Sequence, residues 1–238
     1  MARTVLVTGG SRGIGRAVAA RFRQAGDRVV ITGRDAAKLT GTASEIDAEA
    51  VVCDAADPRQ VRELAEAVGE LDVLVNMAGG NTDIGREKPE GLDAVAAAWR
   101  DNLDANLLGA VLTTTAVLGS LNPGGTVINV GSIAAEYAGS AYGAAKAALA
   151  AWTAGLSAEI GPRGLTVNLI SPGYIEDTDF FRGRMTEQRR DALVAATHTR
   201  RAGNPDDIAA TVEFLASPGA RHITGQTIHV NGGAHTTR

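Results

Sequence analysis

The side chains best suited to chemistry in this sequence are a tyrosine and a lysine four residues apart, Tyr142 and Lys146. The segment Ala141 to Ile160 has a helical pattern, and residues four apart on a helix lie on one face. The phenol and the ammonium therefore point into the same space. A lysine ammonium beside a phenol favours the tyrosinate and lowers a pKa that is otherwise about 10. The pair predicts a proton donor or acceptor that works near neutral pH.

A second candidate is a glycine-rich turn near the start of the chain. The apolar, β-branched run Thr4 to Thr8 is followed at once by Gly9-Gly10-Ser11-Arg12-Gly13-Ile14-Gly15 and then by a helical pattern. In such a strand, turn and helix, the backbone N–H groups and the positive end of the helix dipole can bind a pyrophosphate. The glycine spacing departs from the plain G-x-G-x-x-G fingerprint, and a tight structural turn explains this segment alone equally well.

Strand-like and helix-like segments alternate along the chain. This alternation, with near-continuous apolar strands, predicts an α/β fold: a doubly wound, Rossmann-like parallel sheet of about seven strands with helices on both faces. We find no repeat or linker, so residues 1–238 are expected to form a single domain. The predicted strands are Thr4–Thr8, Arg28–Gly33, Ala50–Cys53, Asp72–Asn76, Thr126–Gly131, Leu165–Ile170 and Thr227–Val230. The predicted helices are Gly13–Ala25, Ala36–Ile46, Pro58–Val68, Leu92–Leu118, Ala141–Ile160, Asp179–Ala195 and Asp206–Ala216.

The ligand of a doubly wound sheet lies beyond the carboxyl ends of the strands. Polar residues and glycines follow almost every predicted strand at that edge, which chance placement would not produce. These are Thr8 with the glycine turn, Gly33-Arg34-Asp35, Asp54-Ala55, Asn76 to Gly79, Ser132 and Ser171-Pro172-Gly173. The sequence therefore predicts one ligand site that gathers these segments.

Composition excludes several other classes of protein. The net charge of −4, without a basic cluster, argues against nucleic acid as a partner. The single Cys53 excludes an internal disulfide, and we expect it to be a buried packing residue rather than a nucleophile. Cys and His are too sparse and scattered to predict a metal site. Apolar runs such as Ala94 to Trp99 are too short to span a bilayer, and the N-terminus lacks a long apolar segment. A soluble, cytoplasmic protein without a membrane partner is expected.

The order of these motifs resembles that of the short-chain dehydrogenase/reductase family. Thr8-Gly9-x-x-x-Gly13-Ile14-Gly15, Asn76-Met77-Ala78-Gly79, Ser132 and Tyr142-x-x-x-Lys146 occur in the family's order, and residues 172–175 and 225–233 match its later segments. The chain looks most like the bacterial 3-oxoacyl-acyl-carrier-protein reductase branch. The resemblance implies that the protein interconverts a ketone and a secondary alcohol by hydride transfer with a nicotinamide cofactor.

The resemblance also implies a role for each of four side chains. Tyr142 would be the general acid in reduction and the base in oxidation. Lys146 would hold its pKa down and bond the nicotinamide ribose. Ser132 would donate to the reacting oxygen, and Asn106 would fix a water that links Lys146 to solvent.

The asparagine role and the serine role each have an alternative residue, and the loop between Ser132 and Tyr142 is short. Asn102 competes with Asn106 for the asparagine role. Ser140 competes with Ser132, although a serine at a helix start is more simply a cap. Ser132 to Tyr142 spans ten residues, about three fewer than is usual in the family. The shortened loop is expected to leave the substrate pocket more open or to change the residues that form its floor.

The cofactor is expected to be NADP(H). Asp35 lies about 20 residues beyond the glycine motif, where an acid would select NAD, but the family's selecting aspartate sits where this chain has Gly33. Arg34 and Arg12 suit a 2′-phosphate, since Arg makes forked, charge-assisted bonds to phosphate oxygens, and Asp35 then caps the next helix. The resemblance places Asp54 near the adenine and Asn76 to Gly79 beside the adenosine. The predicted cofactor-binding residues are Gly9, Ser11, Arg12, Gly13, Ile14, Gly15, Arg34, Asp54, Ala55, Asn76, Ala78, Gly79, Tyr142, Lys146, Pro172, Gly173 and Ile175.

The substrate is not defined by the sequence. The pocket is expected to be lined by Gly80 to Arg86, Ile133 to Ala138 and Tyr174 to Arg190, and the last stretch is rich in Phe and Arg. Such a stretch suits either an acidic carrier protein or coenzyme A, or a mobile amphipathic loop. Two other functions stay open: a regulator that binds NADP(H) without turnover, and an isomerase or dehydratase that uses bound cofactor.

A homotetramer, or at least a dimer, is expected through the helices Leu92–Leu118 and Ala141–Ile160. The second helix would turn Tyr142 and Lys146 toward the sheet, which leaves small apolar residues and Trp152 on another side. Relatives bury these helices in a four-helix contact across a two-fold axis. A second contact near Thr227–Val230 and Asp206–Ala216 would complete the tetramer.

Overall fold

A computed structural model describes residues 2–137 and 139–237 of the chain. Its centre is a parallel sheet of seven strands in the order β3-β2-β1-β4-β5-β6-β7, which confirms the predicted doubly wound architecture. The strand order reverses between β1 and β4, and this reversal opens a crevice at their carboxyl ends. The strands are β1 (Thr4–Thr8), β2 (Arg28–Gly33), β3 (Glu49–Val52), β4 (Leu71–Asn76), β5 (Leu121–Val130), β6 (Thr166–Pro172) and β7 (Thr227–Val230).

Helices cover both faces of the sheet. They are α1 (Gly13–Gln24), α2 (Ala36–Ile46), α3 (Pro58–Val68), α4 (Gly91–Leu103), α5 (Gly109–Val117), α6 (Ala134–Tyr137), α7 (Ala141–Ile160), α8 (Glu187–Ala195) and α9 (Pro205–Leu215). The side-chain oxygens of Asp35, Ser140 and Asn204 accept hydrogen bonds from the first turns of α2, α7 and α9. The predicted capping roles of Asp35 and Ser140 are thereby confirmed.

Two predicted helices are wrong in detail. The segment predicted as one helix over Leu92–Leu118 contains a π-helical turn, Asp104–Leu108, between α4 and α5. The segment Asp179–Ala195 holds only a 3₁₀ turn at Asp179–Phe181 and then α8. Arg182 and Gly183 separate them with φ values of 51° and 73°, a left-handed conformation that ends a right-handed helix.

The inner strands, such as β1, β2 and β6, are buried on both faces, which explains their continuous apolar sequences, whereas the edge strand β3 is mostly exposed. Val5 and Val7 of β1 pack into one core with Phe22 of α1, on the side covered by α1 and α9. Leu6 packs into the other core with Leu64 of α3, on the side covered by α3, α5 and α7. Burying each such side chain contributes about 1.5–3 kcal/mol.

Cys53, just after β3, is a free buried cysteine, as predicted. Burial, helped by nearby Asp54 and Asp57, raises the pKa of its thiol to about 11. The thiol is therefore protonated at neutral pH and is a poor nucleophile.

Among the described residues, one helical stretch, Gly91–Ser120, has the length and apolar composition of a membrane span, with a mean hydropathy of 1.2. The sequence argument considered only uninterrupted apolar runs and so did not identify it. Length and apolar composition alone are weak evidence for a span. It also contains the buried polar residues Asn102 and Asn106.

Candidate active site

The N-terminus of α1 faces the crevice beyond β1 and its helix donors are not capped by a side chain. Arg12 precedes α1 in an extended conformation and makes no side-chain capping bond, and the first turn contains no acidic residue. Gly13 begins the helix with φ 51°. The positive end of the helix dipole and its N–H groups thus fit an anion such as a pyrophosphate.

Close packing in the turn before α1 requires glycine. A Cβ at Gly9, which has φ 68°, would lie 2.9 Å from the backbone of Ala78. A Cβ at Gly15 would lie 2.3 Å from the carbonyl oxygen of Gly9. Ile14 packs partly against the core, and the Ser11 carbonyl accepts a hydrogen bond from Thr42. The turn is therefore compact and anchored on both sides.

Thr8 holds the segment after β4 against the end of β1. Its Oγ1 accepts hydrogen bonds from the backbone N–H groups of Met77 and Ala78, both at 3.0 Å. Gly79 continues the segment with φ 147°. This places Ala78 and Gly79 at the point where the strand order reverses, and their contact with a cofactor stays a prediction.

Behind this segment lies a buried polar network that sequence reasoning missed. Asn76 Nδ2 donates to Thr114 Oγ1 and to Asn129 Oδ1, both at 2.9 Å. Asn129 Nδ2 in turn donates to Thr153 Oγ1 at 2.9 Å. An asparagine inside the apolar strand sequence Val127-Ile128-Asn129-Val130 was the available signal, because a buried amide requires partners. The network links β4, β5, α5 and α7 beneath the site.

The crevice end beyond β2 and β3 contains the residues predicted to contact the adenosine. Arg34 is largely exposed, and its Nη1 lies 3.9 Å from Asp54 Oδ2. Ala55 packs against Gly109 at the start of α5. Asp35 accepts a hydrogen bond from the backbone N–H of Lys38 at 3.2 Å. Its carboxylate therefore caps α2, which supports the predicted capping role of Asp35 over the alternative in which Asp35 binds the cofactor ribose.

Tyr142, Lys146 and Ser132 converge beyond β5. Tyr142 and Lys146 lie one turn apart on α7, with only 6% and 5% of their surface exposed. Ser132 follows β5, and its hydroxyl lies near enough to the Tyr142 phenol to lower the pKa of that phenol. Lys146 Nζ lies 5.9 Å from the centre of the Tyr142 ring and donates to the Val130 carbonyl at 2.7 Å. The structure thus brings together the three side chains that the sequence singled out.

The predicted lowering of the Tyr142 pKa by Lys146 is wrong for this structure. Burial raises the pKa of Tyr142 to about 12, and the nearby Ser132 hydroxyl opposes this rise only in part. Burial lowers the pKa of Lys146 to about 8. The sequence pattern shows that the two groups share a helix face, but it does not show how completely that face is buried, and burial penalises the charged form of each group.

Asn106 and Asn102 both hold the loop after β4. Asn106 lies in the π-helical turn, where its Oδ1 accepts from Gly80 N at 2.9 Å and its Nδ2 donates to Gly80 O at 3.0 Å. Asn102 accepts from Thr82 N at 3.3 Å and donates to Asp83 Oδ1 at 3.0 Å. Asn106 is thus the residue closer along the loop to Gly79, and its role in holding a water stays a prediction.

An aromatic cluster covers Tyr142. The ring of Phe180 lies 5.7 Å from that of Tyr142, and Phe181 packs at 5.0 Å on Phe180. Arg189 lies over Phe181, and Arg182 donates to the Ile84 carbonyl at 3.0 Å. The segment therefore contacts both Tyr142 and the loop after β4. The sequence did not predict the contact between Phe180 and Tyr142. Two adjacent phenylalanines in a polar stretch could have indicated it, because such side chains usually need an apolar partner.

The segment after β6 closes the site on the far side. The carbonyl of Pro172 accepts from Ile133 N at 2.9 Å, and Gly173 N donates to Val230 O at 3.2 Å. Ile175 is buried in the core, so any contact between this residue and a cofactor would come from its backbone. Ala138, at the end of the predicted pocket-lining stretch 133–138, lies outside the described residues.

This doubly wound fold, with a polar crevice at the carboxyl ends of its strands, is typical of nucleotide-binding proteins, and comparison with known proteins identifies the family. Residues 9–235 match a family model described as enoyl-(acyl carrier protein) reductase. A Mycobacterium tuberculosis oxidoreductase is 40% identical over 97% of both chains. The 3-oxoacyl-[acyl-carrier-protein] reductase of Vibrio cholerae is 35% identical over 98% of this chain and 97% of its own.

The solved structures agree. A short-chain dehydrogenase of Burkholderia cenocepacia in complex with NADP is 36% identical over 98% of this chain and 97% of its own, with a TM-score of 0.85. A short-chain dehydrogenase/reductase of Mycobacterium ulcerans is 30% identical, with a TM-score of 0.89 over 98% of this chain and 89% of its own. The chain belongs to the short-chain dehydrogenase/reductase family, near the 3-oxoacyl-acyl-carrier-protein reductase branch.

Proposed function

We propose that this protein is an NADP(H)-dependent oxidoreductase that interconverts a ketone and a secondary alcohol. The observation that carries the proposal is the convergence of Ser132, Tyr142 and Lys146 in the same crevice as the uncapped N-terminus of α1. One end of the crevice can bind a pyrophosphate and the other end can move a proton. A regulator without turnover would not need this set, and the described structure shows it intact.

The cofactor fits the residues present. The glycine turn and the α1 N-terminus would hold the pyrophosphate, and the segment Ala78–Gly79 would line the adenosine. Arg34 and Arg12 are both more than half exposed, so their guanidiniums can reach a 2′-phosphate. The relative from Burkholderia cenocepacia, bound to NADP, supports the same preference here. When bound, the nicotinamide supplies or accepts the hydride.

The protein residues handle the proton and the developing charge. In reduction, Tyr142 donates its proton to the carbonyl oxygen; a pKa of about 12 keeps the phenol protonated at neutral pH and ready to donate. Ser132 donates a hydrogen bond to the same oxygen and stabilises the charge that develops on it. Lys146, when protonated, favours the tyrosinate that remains. Asn106, which holds Gly80, keeps the loop beside the site in place.

We propose a 3-oxoacyl thioester as the first substrate class to test. The aromatic cluster over Tyr142 can cover an acyl chain, and the arginines of residues 182–190 can meet the phosphates of a carrier protein's prosthetic group or of coenzyme A. The Vibrio cholerae relative supports this class. Small or cyclic ketones and steroids are the competing substrates.

A panel of ketones and alcohols tests the proposal. We expect NADPH absorbance to fall with at least one 3-oxoacyl thioester, presented on coenzyme A or on acyl carrier protein, or with another ketone in the panel. Turnover of an unrelated ketone alone would keep the enzyme and reject the thioester. Stoichiometric NADPH binding without turnover of any compound would favour the regulator.

We also propose a cytoplasmic homotetramer assembled through α4, α5 and α7. Apolar side chains are exposed on α4, including Leu92 at 89% and Trp99 at 45%, and exposed alanines lie on α7. The expectation that Trp152 is the exposed tryptophan is wrong, because it is half-buried and packs against the core. Trp99 is the more exposed of the two, and such an apolar surface favours a covering partner.

The tetramer is tested by charge substitution on this surface. We expect light scattering of the wild type to give about four times 24.4 kDa, and Trp99→Glu to give a smaller particle. Trp152→Glu should also split the assembly, but with loss of stability because of its core contacts. Val52→Glu is the control, since Val52 is equally exposed on the distant edge strand β3. A wild-type particle of 24.4 kDa at micromolar concentration would refute the proposal.

A further inference from the structure

A cluster of two histidines and a carboxylate lies outside the roles assigned above. Glu136 of α6, His229 of β7 and His235 each place a ligand atom within 4.8 Å of the others. His235 Nε2 lies 3.6 Å from Glu136 Oε2, and His229 Nε2 lies 3.9 Å from Glu136 Oε1. The two imidazole rings are 4.9 Å apart. The three residues come from separate parts of the chain, which explains why spacing along the sequence did not reveal them.

The chemistry of this donor set suits a transition metal. Two imidazole nitrogens and one carboxylate oxygen are ligands that zinc accepts, with bonds of about 2.0–2.2 Å. In a tetrahedral site of that size, ligand atoms lie about 3.3 Å apart. The separations to Glu136 are longer and run to its two different carboxylate oxygens, so the Glu136 side chain would have to move for one oxygen to bind the ion; it is on a short helix and exposed.

A second observation points to the same ligand. His229 Nδ1 and Ser171 Oγ are both buried, and neither has a hydrogen-bond partner among the described residues. Ser171 and His229 are paired in the register of β6 and β7. With Nε2 bound to a metal, Nδ1 would carry the proton, and the Ser171 hydroxyl on the paired strand would have to turn toward it to accept, since the two atoms are not hydrogen-bonded as they stand. Histidine ligands commonly donate their second N–H in this way, which orients the ring.

We propose that Glu136, His229 and His235 form a Zn²⁺ site that ties the loop after Ser132 to the last strand of the sheet. The sequence composition predicted no metal site, and the proposal departs from that prediction because folding gathers half of the four histidines. Three protein ligands leave the fourth tetrahedral position to water or to a small anion.

The proposed Zn²⁺ site would stabilise the turn that carries Ser132. Ala135 N donates to Ser132 O at 3.0 Å, and Glu136 N donates to Ile133 O at 3.1 Å. Ile133 N also donates to Pro172 O at 2.9 Å. A metal on Glu136 would therefore hold this turn against β7. This consequence for turnover depends on the proposed function, whereas metal binding does not, so the two can fail separately.

Titration with zinc tests the site directly. We expect the untagged, chelator-treated protein to bind one Zn²⁺ per chain, with a zinc-dependent rise in Tm, and to bind Co²⁺ with visible absorption bands. Mg²⁺ should give neither effect, since it prefers oxygen ligands. His235→Ala and Glu136→Gln should each lower zinc affinity by about tenfold or more. His222→Ala is the matched control, because His222 is exposed and outside the cluster.

Two outcomes would overturn the proposal. One is the lack of stoichiometric zinc binding by the wild type, which would leave the cluster as an ion pair. The other is equal zinc affinity in the wild type and in both ligand variants, which would place the metal elsewhere. Because His235 and Glu136 are partly exposed, their variants are expected to fold, and circular dichroism checks this. If a substrate is turned over, zinc should change kcat more than KM, because it would act on the turn that carries Ser132.

Discussion

Tyr142→Phe is expected to reduce hydride transfer by about 10²–10⁴-fold while NADP(H) affinity stays within a few-fold of the wild type. The phenol alone supplies the proton, and the phenylalanine ring keeps the buried packing and the contact with Phe180. Single-turnover oxidation of NADPH measures the chemical step, and titration of nicotinamide fluorescence measures binding.

The controls separate chemistry from structure. Tyr137→Phe removes a phenol that is 68% exposed and close in sequence, and it should behave as the wild type. Lys146→Ala should harm both turnover and cofactor binding, since the resemblance places Lys146 at the nicotinamide ribose. Wild-type turnover by Tyr142→Phe would reject the mechanism.

Arg34→Ala is expected to weaken NADPH binding by about ten- to a hundredfold and to change NADH binding little. Charge-assisted hydrogen bonds contribute about 1.5–3 kcal/mol each, and only NADPH carries the 2′-phosphate that would accept them. Arg34 is 78% exposed at the end of β2, so its removal should not disturb the core. Parallel fluorescence titrations with the two cofactors give both affinities.

Arg59→Ala provides the matched comparison for Arg34→Ala. Arg59 is also exposed, but it lies on α3 and pairs with Glu63 of the same helix. Its removal should affect the two cofactors equally and weakly. Equal losses of NADPH and NADH affinity in Arg34→Ala would show that Arg34 does not bind the 2′-phosphate.

Most of the fold could be predicted from local pattern. Apolar runs ending in turn residues located all seven strands, and helix-capping residues such as Asp35 and Ser140 located the starts of α2 and α7. The errors occur where a non-local contact decides the conformation. The π-helical turn in Asp104–Leu108 lies where Asn106 bonds Gly80, 26 residues earlier in the chain. Helical periodicity carries no information about such a contact.

In the candidate site, too, local pattern predicted some features, whereas others depend on contacts between distant parts of the chain. Motif spacing placed Ser132, Tyr142 and Lys146 in one crevice, because the carboxyl ends of parallel strands meet at one edge. The direction of the Tyr142 pKa shift required the degree of burial, which only the packed structure gives. The gathering of Glu136 with two histidines likewise depends on the register of β7 against β6.

The buried amides beneath the site also bear on how the chain selects one strand alignment. A strand that is apolar on both faces contains little information about its register, because a shift by one residue exchanges one apolar face for another. Asn76 and Asn129 are partners in the register of β4 and β5. A one-residue slip would turn one amide away from the other and leave buried polar groups unpaired, at a cost of about 1–3 kcal/mol each. The network therefore discriminates against misaligned sheets that hydrophobic burial alone would tolerate.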